Sequence, residues 1–427
     1  MRQYSRVVSV MCCFMSITIS LSAAENKQAE KSWTDKLSFG VENRVRYEYK
    51  SDFDFDNSKD DNGDLLYNRF RLNCKIDFNE KNTFFIEGLD ARVTAHDLAR
   101  PAQTDQFDLH QAYLNFLDLM SLPLDIKVGR QEMKYGKGRL IAAPAWANKI
   151  TAFDGGVLRF KRAGFYSDLF YGQCVPYEES RFNHSSSDVS IKGVYCGYQE
   201  NKDTTQCEAY FINNINFAGS NDVKRNTFGT HLLVPLVMGL VSDLEGCYQF
   251  GDEGPKDVSA YALHADISRV FADIVWKPKL TVEYNYASGD EDSRDTKINT
   301  FVPLYQTIHD PYGVMDFFRW QNMQELACSL MLAPQRKVKI ISEVHCFFLA
   351  DTSDYWYTSS CGKVRSPVDD SANSYAGTET SLVAKFDLLD YVKLESGYAH
   401  FFAGSYLGDT GTSDDADWVY AQVSVKF

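Results

Sequence analysis

Charged side chains recur at every second position in two segments near the start of the chain. They are Glu42, Arg44, Arg46 and Glu48 in residues 36–50, and Arg69, Arg71, Lys75 and Asp77 in residues 66–79. Residues of one parity share one face of an extended strand, and here the opposite parity is apolar. A face with clustered guanidinium groups binds carboxylates, because the planar fork of arginine matches both carboxylate oxygens.

Further cations follow in the next part of the chain. Arg159 and Lys161 alternate with apolar residues, whereas the parity of Arg130 is ambiguous. Loop 133–152 is too apolar for a fully solvated tip, so we expect it to fold inward and bring its cations to a constriction. The candidate pore-lining or substrate-binding residues are Arg44, Arg46, Arg69, Arg71, Lys75, Arg130, Arg139 and Arg159. The alternative is structural, with Glu42, Glu48, Asp77 and Glu87 pairing with these cations across strands.

Catalytic and metal-binding motifs are not found in the sequence. There is no GxSxG, no HExxH and no glycine loop suited to phosphate, and the eight histidines are scattered. Residues 51–64 are acidic but lack the glycine and glutamate that fix a calcium loop, which favours a solvated acidic loop. We therefore predict no enzyme activity, no catalytic residue, no metal site and no cofactor. A Ser/His/Asp set assembled across strands remains the alternative.

The net charge limits the class of partner. The formal charge is −14 at pH 7, whereas binding of nucleic acid requires a basic surface for the phosphates. We therefore predict that nucleic acid is not a partner. A locally basic interior remains compatible with this total, because charge can be divided between loops and lumen.

Alternation of apolar and polar residues predicts eighteen strands, with sixteen as the alternative count. Tight links such as 79–82, 162–164 and 334–335 alternate with long polar links such as 50–65, 288–320 and 350–376. The predicted strands are 36–50, 66–79, 82–93, 107–117, 123–132, 153–162, 164–173, 189–199, 204–215, 226–236, 241–250, 257–268, 274–288, 321–333, 335–349, 377–388, 391–404 and 417–427.

The chain begins with the pattern of an export signal. Two arginines precede the apolar stretch 7–21, and Ser-Ala-Ala follows at 22–24, so residues 1–24 are predicted to be a signal peptide rather than a membrane anchor. No later stretch has the ~20 apolar residues that a spanning helix needs. Alternating strands, short and long links, and a terminal Phe427 predict an all-β transmembrane antiparallel barrel in the bacterial outer membrane. Residues 25–427 form its single domain, with short periplasmic turns and long extracellular loops.

The lipid around such a barrel determines whether the charged or the apolar face of each strand points outward. An arginine or lysine facing lipid costs ~2–4 kcal/mol at the bilayer midplane, so the cationic faces must line the lumen. Rings of arginine and lysine in a pore select anions. The eight cysteines left after the signal show no CxxC pattern, which favours small apolar residues over a disulfide framework.

Several stretches, in order along the chain, resemble the bacterial alginate-export porin family. They are Glu-Gly-Leu-Asp-Ala-Arg at 87–92, Phe-Asp-Leu-His-Gln-Ala-Tyr at 107–113, Val-Gly-Arg-Gln-Glu-Met-Lys-Tyr-Gly at 128–136, Gly-Arg-Leu at 138–140, Trp-Ala-Asn at 146–148, Phe-Asp-Gly at 153–155 and Gly-Tyr-Ala-His-Phe-Phe-Ala-Gly at 397–404. The resemblance implies an eighteen-stranded monomer with an arginine-rich constriction that includes Arg130 and Arg159. It also implies insertion by the outer-membrane assembly machinery, which reads the terminal phenylalanine.

Together these features predict a passive outer-membrane channel for anionic solutes, with export of an acidic, alginate-like polysaccharide as the expected activity. The expected partners are an anionic saccharide or other carboxylated solute, outer-membrane lipid and a periplasmic secretion partner. The alternatives are a general porin, an uptake channel for another small nutrient, and a non-conducting structural barrel.

Overall fold

The computed structural model describes residues 33–427 except 60, 97–102, 180, 202–203, 220, 308, 310, 361 and 369–370. The predicted signal peptide, residues 1–24, lies outside the described residues. Residues Leu37–Phe427 form one compact unit.

Strands dominate the part of the chain that the structure describes. They are β1 (Leu37–Ser51), β2 (Gly63–Asp77), β3 (Asn82–His96), β4 (Asp105–Phe116), β5 (Leu124–Gln131), β6 (Ala152–Arg162), β7 (Phe165–Val175), β8 (Val189–Tyr198), β9 (Gln206–Asn216), β10 (Val223–Pro235), β11 (Leu240–Glu253), β12 (Lys256–Val270), β13 (Lys279–Ala287), β14 (Lys297–Ile298), β15 (Met323–Gln335), β16 (Val338–Phe348), β17 (Tyr375–Leu389), β18 (Val392–Ala403) and β19 (Ala416–Lys426). The short helix α1 (Ser405–Thr410) precedes the last strand, and no helix among these residues is long and apolar enough to cross a membrane.

Each long strand pairs antiparallel with its neighbours in chain order, and β1 pairs with both β2 and β19. The sheet therefore closes on itself as an eighteen-stranded barrel. The two-residue strand β14 is not one of the eighteen and runs parallel to β12. These findings confirm the predicted fold class and strand number.

Side chains alternate between the two sides of the wall as the sequence predicts. In β1, Val45 and Tyr47 are 38% and 42% exposed on the outer surface, whereas Arg44 and Arg46 are only 2% and 3% exposed. The apolar outer side suits lipid, and the polar side faces the lumen, where water and inserted loops can satisfy it.

Tight turns connect neighbouring strands at one end of the barrel. Asn79 Oδ1 accepts hydrogen bonds from the backbone N–H groups of Lys81 and Asn82, both at 2.9 Å, between β2 and β3. Between β6 and β7, Ala163 and Gly164 have φ of 48° and 81°, as a two-residue hairpin turn requires. Short turns lie on the periplasmic side of bacterial barrels, so the long loops are extracellular.

The long loops are more buried in the structure than their polar sequences predicted. Phe301 and Trp320 from the connection 288–322, Trp356 from 349–374 and Tyr406 of α1 are all fully buried. The ring of Phe318 stacks on Phe347 of the wall with centroids 4.1 Å apart. These side chains form an apolar core with the barrel wall, so the loops pack into the barrel instead of extending into solvent.

The acidic loop 51–64 also differs from a fully solvated segment. Phe55 is fully buried and packs on Phe317, with ring centroids 5.0 Å apart. Lys59 pairs with Asp54 at 3.4 Å and with Asp56 at 2.6 Å, and its hydrogen bond lowers the pKa of Asp56 to about 2. A lysine thus supplies the positive charge among these carboxylates.

The described cysteines are all free thiols. They are Cys74, Cys174, Cys196, Cys207, Cys247, Cys328 and Cys346. This agrees with their interpretation as small apolar residues in the wall.

Candidate functional site

The predicted arginine cluster is assembled by the register of β1 and β2. Arg44 pairs with Arg69 and Glu42 with Arg71 across the two strands, so all four side chains leave the same face. Arg44 and Arg69 are buried, and the strand register alone places them side by side. Like charges directly opposite each other are destabilising, so the site needs compensating groups.

Glu42 compensates Arg69 through an ion pair at 2.5 Å. The other groups come from the connection between β5 and β6, residues 132–151, which we call the inner loop. Arg44 donates hydrogen bonds to the carbonyl oxygens of Ala145 (2.6 Å) and Trp146 (2.8 Å) and to Asn148 Oδ1 (3.1 Å). Arg69 donates to the carbonyl oxygens of Ala145 (2.8 Å) and Ala147 (2.7 Å). The arginines thereby satisfy irregular backbone inside the barrel, where it has no sheet partner.

Arg46 contacts the same segment from the next lumenal position of β1. Its Nη1 donates to the Trp146 carbonyl at 2.8 Å, and its guanidinium carbon lies 3.6 Å from the centroid of the Trp146 ring. The other face of that indole stacks on His309 with centroids 3.8 Å apart. Glu48 compensates the charge of Arg46 at 2.7 Å.

Arg71 is enclosed by acidic groups. Its Nη2 lies 2.6 Å from Glu87 Oε1 and 2.8 Å from Glu132 Oε1, and His110 Nε2 is 2.8 Å from the same Glu132 oxygen. Glu87, His110 and Glu132 could hold a metal ion by their spacing. Arg71 already supplies a cation between the two carboxylates, so the cluster is compensated without metal.

The other predicted site residues lie apart from this cluster. Lys75 pairs with Asp77 at 2.8 Å toward the turn end of β2. Arg159 forms two 2.6 Å hydrogen bonds with Asp168 on the lumenal side of β6 and β7. Arg139 of the inner loop binds Glu245 at 2.9 Å and Asp243 at 3.3 Å on β11.

Arg130 occupies the other side of the wall from these residues. It shares parity with Val128, which is 46% exposed on the outer surface, whereas Lys127 and Gln131 line a lumenal cavity. Its guanidinium binds Asp154 at 2.8 Å and donates to the carbonyl of Asn183 at 2.9 Å. The structure therefore does not bring Arg130 together with the lumenal cations.

Ion pairs of histidines and carboxylates on β9 to β16 were missed from the sequence. His231 lies 2.6 Å from Glu208 and 3.0 Å from Asp243, and His345 lies 2.6 Å from Glu325. Each histidine seemed isolated along the chain because its partners lie on neighbouring strands. Lumenal parity was the available signal, since a histidine on that face needs a polar partner.

The inner loop crosses the lumen between the arginines of β1 and β2 and the carboxylates of β11. Residues 145–148 are bound at β1 and β2, while Arg139 is bound at β11, and Ile141 forms a parallel bridge to Tyr305 of another loop. Burial works against the charge of Arg139, but Glu245 and Asp243 outweigh it and raise the pKa of the guanidinium. The loop is thus fixed at both sides by buried, charge-assisted contacts.

The sequence and the fold both match known proteins. A family model described as alginate export matches residues 35–420 of the chain. The chain belongs to the alginate export family. No curated protein sequence matches it at a significant level.

Solved porins share the fold of this alginate export family member. Pseudomonas aeruginosa OccK5 superposes with a TM-score of 0.62 at 12% identity, covering 92% of this chain and 98% of that chain. OpdK with vanillate from the same organism gives 0.61 at 10% identity, covering 91% and 98%. OccK2 in complex with glucuronate, also from Pseudomonas aeruginosa, gives 0.60 at 10% identity, covering 92% and 98%.

Family and fold together establish the class of protein. The alginate export family and the porin fold make this chain a channel of the bacterial outer membrane. At these identities the porins support the fold alone, so the solute has to be argued from the lumen itself.

Proposed function

We propose that the channel passes anionic solutes, with an acidic, alginate-like polysaccharide as cargo, and that lumenal arginine and lysine residues provide the selectivity. The observation that carries this proposal is the environment of Arg44. Its partners are carbonyl and amide oxygens, and no carboxylate oxygen of the described residues lies within 4.0 Å of it. A buried guanidinium in that setting keeps its positive charge uncompensated by direct contact.

The proposed mechanism is electrostatic and passive. Inside a narrow lumen the local dielectric is lower than in water, so an uncompensated cation lowers the energy of a passing carboxylate. Conduction also needs weak, repeated sites so that the solute can leave each one. Arg159 and Lys127 around the lumenal cavity of about 290 Å³ supply such a site nearer the turns.

Two of the solved porins add support from their ligands. OccK2 is in complex with glucuronate and OpdK is with vanillate, both of which carry a carboxylate. For this chain, a carboxylated solute remains our proposal, and Arg44 is the residue on which it depends.

Reversal potentials in planar bilayers under a KCl gradient test the proposal. We expect chloride to permeate better than potassium, and we expect Arg44→Gln to move the reversal potential toward zero. Glutamine can still donate hydrogen bonds to the inner loop, and Arg44 has no carboxylate of the described residues within 4.0 Å, so the change removes a charge without freeing an acid. Arg69 is left unchanged because its loss would unpair Glu42. Arg130→Gln, on the other side of the wall, is the matched control and should leave the potential unchanged.

Equal permeability of both ions in the unmodified channel would overturn the proposal, as would an equal effect of Arg130→Gln. The apolar core formed by the inserted loops favours a second candidate, a non-conducting structural barrel. Absence of any conductance from correctly folded protein, checked by circular dichroism, would favour that candidate.

A further inference from the structure

A cavity of about 540 Å³ lies at the loop end of the barrel, and neither Arg44 nor Arg69 lines it. We call it the mouth cavity. Its floor is Trp146 of the inner loop, and its rim includes Thr358, Ser359 and Ser360. Its volume falls within the ~300–1,000 Å³ typical of small-molecule sites.

Cations outnumber carboxylates in the lining of the mouth cavity. The cationic side chains are Arg46, Lys50, Lys59, Lys363 and Arg365. The carboxylates are Glu48, Asp54 and Asp316. Each carboxylate already has a cationic or ionisable neighbour, since Glu48 binds Arg46 (2.7 Å), Asp54 binds Lys59 (3.4 Å) and Asp316 binds His309 (3.1 Å).

Two of the cations are left without an acidic partner. Among the described residues, no carboxylate oxygen lies within 4.0 Å of Lys363 or Arg365. Lys363 Nζ stands 3.5 Å from the centroid of the Tyr355 ring, and Arg365 Nη2 donates to the Thr412 carbonyl at 2.6 Å. The Nε of Arg365 is buried without a hydrogen-bond partner.

The segment that presents these cations is held in place. Trp356 is fully buried and its indole N–H donates to the Phe317 carbonyl at 2.8 Å. Tyr357 pairs with Lys363, and the Val364 N–H bonds to the Trp356 carbonyl at 3.0 Å. A rigid support keeps the cations at the entrance, so little ordering is required when an anion binds.

We propose that the mouth cavity binds a hydroxylated carboxylate, a uronic acid unit of a saccharide, arriving from the extracellular side. Lys363 and Arg365 take the carboxylate, and the hydroxyl groups of the rim take the sugar hydroxyls. This inference rests on the proposed anion channel and adds a capture site outside it. Capture at the loop end makes entry from outside faster than entry from the turn end.

Blockade of single oriented channels by tri-galacturonate, added to one side at a time, tests this. We expect more frequent blocking from the loop side, and a roughly tenfold lower blocking rate in the Lys363→Gln and Arg365→Gln double variant, the low end of electrostatic steering. Arg336→Gln with Lys337→Gln removes the same charge at the opposite, turn end and serves as the matched control. Maltotriose, which has no carboxylate, should block weakly and equally from both sides.

Calorimetric titration of detergent-solubilised protein with tri-galacturonate gives a second readout that does not depend on conduction. Binding should be lost in the Lys363/Arg365 variant and kept in the control. Equal blockade from both sides, or unchanged binding in that variant, would overturn the inference. The reversal potential in the same bilayers depends on the lumenal arginines and not on the mouth cavity. An anion-selective channel that tri-galacturonate blocks equally from both sides would defeat only the mouth site. A channel blocked mainly from the loop side but without anion selectivity would defeat only the proposed channel selectivity.

Discussion

Arg71 shows how one residue can decide what a cluster binds. Its guanidinium lies between Glu87 and Glu132, within 2.8 Å of an oxygen of each, and His110 completes the group. Carboxylate and imidazole groups at this spacing are also the ligands that zinc prefers. The arginine therefore takes the position that a metal ion would otherwise occupy.

Arg71→Ala should destabilise the barrel by about 3–5 kcal/mol, because it leaves the buried Glu87 and the partly buried Glu132 without the guanidinium that pairs with both. We also expect the variant to bind Zn²⁺ and to regain stability when the metal is added. Thermal unfolding with and without Zn²⁺ measures both effects. The Arg71→Ala/His110→Ala double variant lacks one ligand and should recover less, and an equal response of the unmodified protein to Zn²⁺ would contradict the argument.

At the scale of elements, the strands can be predicted from the sequence because two independent patterns, the alternation of apolar and polar residues and the tight links, agree. Alternation located the segments, and tight links such as 162–164 placed their ends; β7 was predicted at 164–173 and spans Phe165–Val175. Charge parity also identified the lumenal face of β1 and β2. Each of these signals lies within about ten residues of sequence, so no tertiary contact was needed to read it.

What the sequence could not reveal depends on contacts between distant segments. In β4 an extra residue lies between Leu109 and Gln111, because Gly88 and Glu87 pair with those two residues and leave His110 unpaired. Parity fails at such a bulge. The contacts of Arg44 with Ala145 and its neighbours, about a hundred positions away, were equally invisible, and they determine how much of the arginine charge is available.

The inner loop gives the prediction at this scale. Gln131 of β5 pairs directly with Phe153 of β6, so a short turn can join the two strands without the loop. Replacing residues 134–149 with a short Gly-Ser turn should raise single-channel conductance by a factor of about two or more, because a wider aqueous path has lower resistance. Bilayer recordings measure it, with removal of residues 217–219 from an outer loop as the control. Unchanged conductance would mean that the loop does not limit the path.

The whole molecule divides its charge between two environments. The outer surface carries apolar residues such as Leu244, Leu263 and Val282. The lumenal sides of the same strands carry Glu245, His264 and Glu283. The net charge of −14 is therefore compatible with a cation such as Arg44 that has no acidic contact in the lumen, because acids and bases are sorted by position. Stability in the membrane depends on this sorting at every strand.

Neighbouring residues of β13 allow that dependence to be tested with one type of substitution. Val282 is 49% exposed on the outer surface, and Thr281 lines a lumenal cavity beside Lys279 and Glu283. Val282→Arg places a charge in lipid and should lower the free energy of unfolding by ~2–4 kcal/mol, whereas Thr281→Arg meets water and carboxylates and should cost much less. Guanidinium titration of protein folded into lipid vesicles measures both. Because the two positions differ in little besides the side of the wall, equal costs would show that lipid and water do not lie on the sides assigned to them, and the lumenal position of the arginines would fail with that assignment.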